Sequence, residues 1–341
     1  MPSAPPAAKS VIDIMQGIRP ERLLLLPIVF SMGARVENVS LRDFLYNPTK
    51  ICNALRQIHG YLPADGVTCY FDPTLEAEAL GANLEWITDS EPPAVHWPGA
   101  GESGTFDPGL ARVEEVARNG RIPTACEVIR RLKSTGAHGR LLMACITGPF
   151  SLASRLGHDV IRTGQVGTAS PAFEFGCSLI TEIARRYVEA GANVIFVVED
   201  ALPSISAGEY EQWASLLAPA FNIVRFYEAL PVLLLTDGIS VAANRTSLFG
   251  RQWDCLLCPH SAGLDMRTGP SQPGLAQGLL GLAASLELFN AGELECLAHI
   301  GYFREQVSAL TPVAITTAGD LPPGADLKRA SRVLSELKIL L

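Results

Sequence analysis

Short apolar runs alternate with amphipathic stretches along most of the chain. LLLLPIV (residues 23–29), GVTCYF (66–71), residues 141–146, VIFVV (194–198) and PVLLLT (231–236) read as strands, with weaker ones at 255–257, 279–282 and 313–316. Strands buried on both faces of a parallel sheet show unbroken apolar runs of this kind. Helices are predicted at 48–62, opened by Asn47-Pro48, and at 122–134, opened by Ile122-Pro123. Others follow at 173–189, ended by Gly191, at 209–228 with Pro219 as a kink, and at 327–340. Strand–helix alternation implies a parallel sheet with helices outside it, and about eight such units favour a (β/α)8 TIM barrel. No G-x-G-x-x-G turn follows any strand, so a dinucleotide-binding fold has no support.

Composition sharpens this picture. The 341 residues are 48% hydrophobic and 18% charged, with mean hydropathy +0.21, which suits one large core. A disordered arm rich in Pro, Ala and Ser is expected at residues 1–10, followed by a single barrel domain over 11–341. The net charge of −8, with no Lys/Arg run, excludes a nucleic-acid partner. No run is long enough to span a bilayer, and the arm lacks the apolar stretch of a secretory signal. Eight scattered cysteines, several inside apolar runs, read as reduced thiols of a cytoplasmic protein. Gly/Pro-rich stretches at 90–109 and 265–278 are expected as long loops at the barrel mouth.

In such a barrel the chemistry sits at the C-terminal strand ends. Four of these ends carry carboxylates, at Asp72, Glu199-Asp200, Asp237 and Asp320. A carboxylate there serves as general acid or base, stabilises a developing cation, or binds metal. Structural alternatives stand beside this: Asp72 as a helix N-cap before TLEAEALG, and Asp237-Gly238 as a turn. Cys255-x-x-Cys258-x-His260 has the look of a ligand cluster. Its two cysteines are an odd number of residues apart, however, and a regular strand points them to opposite faces. His59 falls inside the first long helix and reads as a helix residue rather than a ligand.

Several segments in order resemble the uroporphyrinogen decarboxylase superfamily, which includes cobalamin-linked methyltransferases. They are GVTCYFDPTLEAEALGANLEW (66–86), CITGPFSLASRLG (145–157), EAGANVIFVVEDALPSISAGEYEQWASLLAPAF (189–221), LPVLLLTDG (230–238) and ITTAGDLPPGADLKRASRVLSELK (315–338). The resemblance implies that Asp72 stabilises a cationic intermediate and that Arg35 holds a substrate carboxylate. SMGARVENV departs from the family's arginine-rich N-terminal motif, the family's Tyr falls near Arg155, and its C-terminal His falls at Ala318 or Gly319. The methyltransferase zinc ligands fall on Leu235, on Asp237 and within residues 316–319, which hold no cysteine.

These readings point first to a cofactor-free decarboxylase acting on a small carboxylated molecule rather than on uroporphyrinogen, whose eight carboxylates an acidic mouth would repel. Asp72 would stabilise the cation, Asp237 or Asp200 would donate the proton, and Arg35 with Arg155 would anchor the carboxylate. Phe71, Thr147, Phe150, Glu199 and His260 complete the expected substrate wall. The alternatives are a methyltransferase with an altered zinc site and a non-catalytic ligand-binding barrel. A homodimer is what the resemblance implies.

Overall fold

The computed structural model describes residues 7–96, 111–135, 139–155, 171–238, 244, 248, 254–259, 280–290, 300–305, 307 and 312–339. Its strands are β1 (Leu24–Leu25), β2 (Gly66–Tyr70), β3 (Asn83–Glu85), β4 (Ala94–His96), β5 (Leu141–Thr147), β6 (Val194–Glu199), β7 (Leu230–Leu235), β8 (Leu256–Pro259), β9 (Leu280–Ala284) and β10 (Ala314–Thr317). Eight of them form one parallel sheet in the order β1-β10-β9-β8-β7-β6-β5-β2, a nearly closed (β/α)8 barrel. The helices around it are α1 (Ala7–Met15), α2 (Met32–Val36), α3 (Leu41–Leu45), α4 (Pro48–Tyr61), α5 (Leu75–Ala79), α6 (Val113–Val116), α7 (Ile122–Ser134) and α8 (Pro149–Arg155). Behind them lie α9 (Pro171–Ala190), α10 (Ala207–Phe226) and a closing helix, Leu327–Ile339. α10 opens on a full capping box between Ser206 and Glu209 and continues through Pro219 to Phe226.

Side-chain alternation along the strands divides the core in two. Leu24, Leu141, Met143, Val194, Phe196, Val232 and Leu257 fill the barrel interior. Leu142, Ala144, Ile195, Val197, Leu233 and Leu256 face the helices instead. Cys255 belongs to the first group and Cys258 to the second, so the Cys-x-x-Cys pair does not converge on one metal. His260 lies outside the described residues.

The sheet order leaves β1 and β2 without a backbone ladder, because Pro27 has no N–H and β1 is only two residues long. One backbone bond and several side-chain bonds close this seam. Asp65 accepts from the Leu25 N–H at 2.9 Å, and the Asp65 N–H donates to the Leu25 carbonyl at 2.8 Å. Arg22 grips the same carboxylate with two bonds of 2.9 Å. Higher up, the Thr68 hydroxyl donates to the Pro27 carbonyl at 3.2 Å and accepts from the Val29 N–H at 3.4 Å.

Two expectations need correction. Residues 7–10, placed in a disordered arm, form the first turns of α1 (Ala7–Met15). Its Val11 and Ile14 insert among Leu24, Leu141, Val194, Leu230 and Val313, the N-terminal ends of the strands, and so plug the barrel floor. The apolar spacing of Val11 and Ile14 outweighs the Pro/Ala-rich composition of the segment. The 90–109 stretch, expected as loop, contributes β4, which pairs antiparallel with β3. Arg42 ties this hairpin to α3: its N–H donates to the Asp89 carbonyl at 3.0 Å, and its guanidinium pairs with Asp89 and lies over the Trp86 ring.

Candidate active site

A cavity of about 370 Å³ opens at the C-terminal ends of the strands. Leu41 and Leu45 of α3, Phe71, Val198 and two proline pairs, Pro92-Pro93 and Pro322-Pro323, make its apolar wall. Asp72, Asp200 and Asp320 bring carboxylates to it, and Ser31 and Thr236 bring hydroxyls. A recess of about 20 Å³, room for one water, continues inward beside Cys145, Thr147 and Arg155.

Asp72 follows β2 and is held from two sides. One oxygen accepts from the Thr74 N–H and hydroxyl, both at 2.8 Å; this closes a local turn, and the N-cap of α5 is Thr74 rather than Asp72 as expected. The other is ion-paired with Arg121, whose side chain is wholly buried just before α7. Arg121 also donates to Glu78 at 2.7 Å and to Thr74 at 3.0 Å, and it lies beneath the Tyr46 ring. Burial works against the arginine charge, but Asp72 and Glu78 outweigh it, so Arg121 stays cationic. Arg121 and Glu78 were not among the sequence candidates. Arg121 is 49 residues from Asp72 and precedes a helix like any surface arginine.

The turn after β5 is clamped by two buried carboxyls. Glu76 accepts from the Thr147 N–H at 3.0 Å and from its hydroxyl at 2.7 Å. Glu199 accepts from the Phe150 N–H at 3.1 Å, the Ser151 N–H at 2.8 Å and the Ser151 hydroxyl at 2.6 Å. The Ser151 oxygen in turn accepts from the Asp200 N–H at 2.8 Å. Burial pushes both acids up, Glu199 to about 7. Glu199 is thus a structural brace, 1% exposed, and not part of the substrate wall as expected. Phe150 is likewise corrected: it packs against Phe173 and Trp213 in the outer core.

Asp200 reaches the cavity and is ion-paired with Arg155 at the end of α8. Arg155 therefore faces the mouth, as expected, with a carboxylate partner already in place. Arg35 does not line the cavity; it is exposed on α2 and donates to the Gly324 carbonyl at 3.1 Å. Thr236, rather than Asp237, lines the cavity at the end of β7. Phe71 and Thr147 are where they were expected, at the cavity and its recess.

Asp320, a strand-end carboxylate outside the expected set of site residues, lines the cavity. It accepts from the Phe30 N–H at 2.7 Å and the Ser31 N–H at 2.8 Å, joining the top of β10 to the chain beyond β1. Burial pushes its carboxyl up to about 7, against the lowering effect of these bonds. An acid that titrates near neutrality at a cavity wall suits proton transfer.

The residues do not fit a zinc site of the methyltransferase kind. Leu235 is apolar, the Thr316 hydroxyl donates to the Leu26 carbonyl at 2.7 Å, and the Thr317 hydroxyl donates to Gly319 at 2.6 Å. Among the described residues no three His, Cys, Asp or Glu side chains converge as ligands. Nor is any helix among them long and apolar enough to cross a membrane.

A comparison with curated protein sequences finds no match. Among solved structures, a methyltransferase from Methanosarcina mazei superposes with a TM-score of 0.76 at 15% identity, covering 97% of this chain and 98% of its own. A B12-independent methionine synthase from Shewanella sp. W3-18-1, in complex with selenomethionine, superposes with a TM-score of 0.56 at 12% identity, covering 87% and 88%. The family model for uroporphyrinogen decarboxylase (URO-D) matches residues 7–232, from α1 into β7. The chain belongs to the uroporphyrinogen decarboxylase family.

Proposed function

We propose that this protein is an enzyme that transfers a methyl group between small molecules at the barrel mouth. The observation that carries the reading is the cavity itself: apolar walls, about 370 Å³, and a carboxyl poised near neutrality in Asp320. Such a volume is at the low end for small-molecule sites and far from the needs of an octacarboxylate tetrapyrrole. The full-length likeness to a methyltransferase supports transfer ahead of decarboxylation. A decarboxylase would need a cation to anchor its substrate, whereas Arg155 already holds Asp200 and Arg121 holds Asp72.

In this reading the acceptor gives up its proton as its lone pair takes the methyl carbon. Ionised Asp320 receives that proton, and a carboxyl near 7 both accepts and releases it at neutral pH. Phe71 and the proline pairs exclude water from the reacting atoms. Asp72, fixed by Arg121 and Thr74, orients the bound molecule. Mass spectrometry of reactions with panels of methylated donors and thiol or amine acceptors tests this. A 14-dalton gain on an acceptor is expected, lowered at least about 100-fold in Asp320→Asn. Release of CO2 from a small carboxylated substrate with no methyl transfer would overturn it.

A further inference from the structure

We propose that the mouth cavity takes a compact onium cation, a quaternary ammonium or a sulfonium, as the methyl donor. This rests on the transferase reading above and adds the chemical class of its substrate.

Two features of the cavity argue for it together. The wall is dominated by hydrocarbon from Leu41, Leu45, Phe71 and the two proline pairs. An ammonium with N–H groups would lose hydrogen bonds to water there, but an onium has none to lose, and its charge is spread over methyl groups that pack against such surfaces. The charged side chains that line the main cavity are all acids. Asp72, Asp200 and Asp320 face the cavity, while the arginines around it are already engaged: Arg121 with Asp72 and Glu78, Arg155 with Asp200, Arg35 with the Gly324 carbonyl.

Asp320 differs from the other two acids. Its described hydrogen-bond partners are all neutral: the N–H groups of Phe30 and Ser31 and the Ser31 hydroxyl. A cation in the cavity supplies the missing counter-charge and stabilises its ionised form, the form needed to take a proton. A substrate carboxylate would instead meet Asp320 directly, beside two acids whose arginines are already engaged.

The chemistry is consistent with this charge. The acceptor lone pair forms the new bond to the methyl carbon. The carbon–nitrogen or carbon–sulfur bond breaks and leaves its electron pair on a neutral amine or thioether, while the acceptor proton passes to Asp320.

Isothermal titration with matched probes tests the proposal. Choline, 3,3-dimethylbutan-1-ol and 3,3-dimethylbutyrate share shape and differ in charge; tetramethylammonium and trimethylsulfonium extend the cationic arm. Onium binding about tenfold or more tighter than the alcohol is expected, with the carboxylate weakest. Asp320→Asn should remove that preference while the circular dichroism spectrum is kept; if the variant does not fold, the wild-type comparison alone decides. Equal binding of choline and the alcohol, stronger binding of the carboxylate, or no binding of any of the three cations would overturn the proposal. Methyl transfer from a neutral donor alongside such a result would leave the transferase reading standing, whereas CO2 release without methyl transfer would remove both.

Discussion

Arg121 and His59 are both buried, with opposite consequences. Arg121 has Asp72, Glu78 and Thr74 around it. Arg121→Ala leaves two carboxylates without their cation, and a loss of about 3–5 kcal/mol is expected in urea unfolding. His59 is 2% exposed and neither ring nitrogen has a hydrogen-bond partner. Burial pushes it down to about 3 from 6.5. Between those values the unfolded chain binds a proton that the fold refuses, so stability drops as pH falls below about 6.5, by about 1.4 kcal/mol per pH unit. Glu199 and Asp320 act with the other sign: raised to about 7, they lend stability below the ordinary carboxyl range that is lost as pH rises through about 7. His59→Leu should therefore raise stability at pH 7 by about 1–3 kcal/mol and flatten the acid limb of a melting-temperature profile. An unchanged acid limb would contradict the burial argument. The sequence shows which residues end the strands, but not which distant partners hold them. Asp72 stands out from the text alone, whereas its pairing with Arg121 depends on α7 docking beside β2.

At the scale of elements, the turn from β5 into α8 is the tightest part of the mouth. A Cβ on Gly148 would lie 2.3 Å from the Glu199 carboxyl carbon. Gly148→Ala must push that carboxyl out of its bonds to Phe150 and Ser151 and loosen the helix that carries Arg155. A loss of about 2–4 kcal/mol is expected by denaturant titration, with faster amide exchange in residues 148–155. Strands β2, β5, β6 and β7 are legible in the sequence because burial on both faces makes them continuously apolar. The β3–β4 hairpin is not, since its three-residue strands are largely exposed and leave no apolar period to read. α1 was hidden for a different reason: it follows directly on a Pro/Ala-rich stretch whose composition reads as disorder, while two apolar positions decide its fate.

The whole molecule closes at one seam mainly through side chains. Asp65→Ala removes the acceptor for the Leu25 N–H and the partner of Arg22 in one step. A loss of about 3–5 kcal/mol is expected by urea unfolding, and a loss under about 1 kcal/mol would show that the barrel closes without this bridge. The family and the barrel were readable from the order of many weak segments. The cavity was not, because its walls gather residues from both ends of the chain, from Ser31 to Pro323.

The floor plug also sets an order of events. α1 leaves the ribosome well before its seat, which includes Leu230 on β7 and Val313 beside β10, more than 200 residues further along the chain. The helix must wait for the rest of the chain, and nine residues are too few to stay helical alone in water. Docking of α1 is then a late step of folding, and until it happens the newborn barrel shows chaperones an open apolar floor.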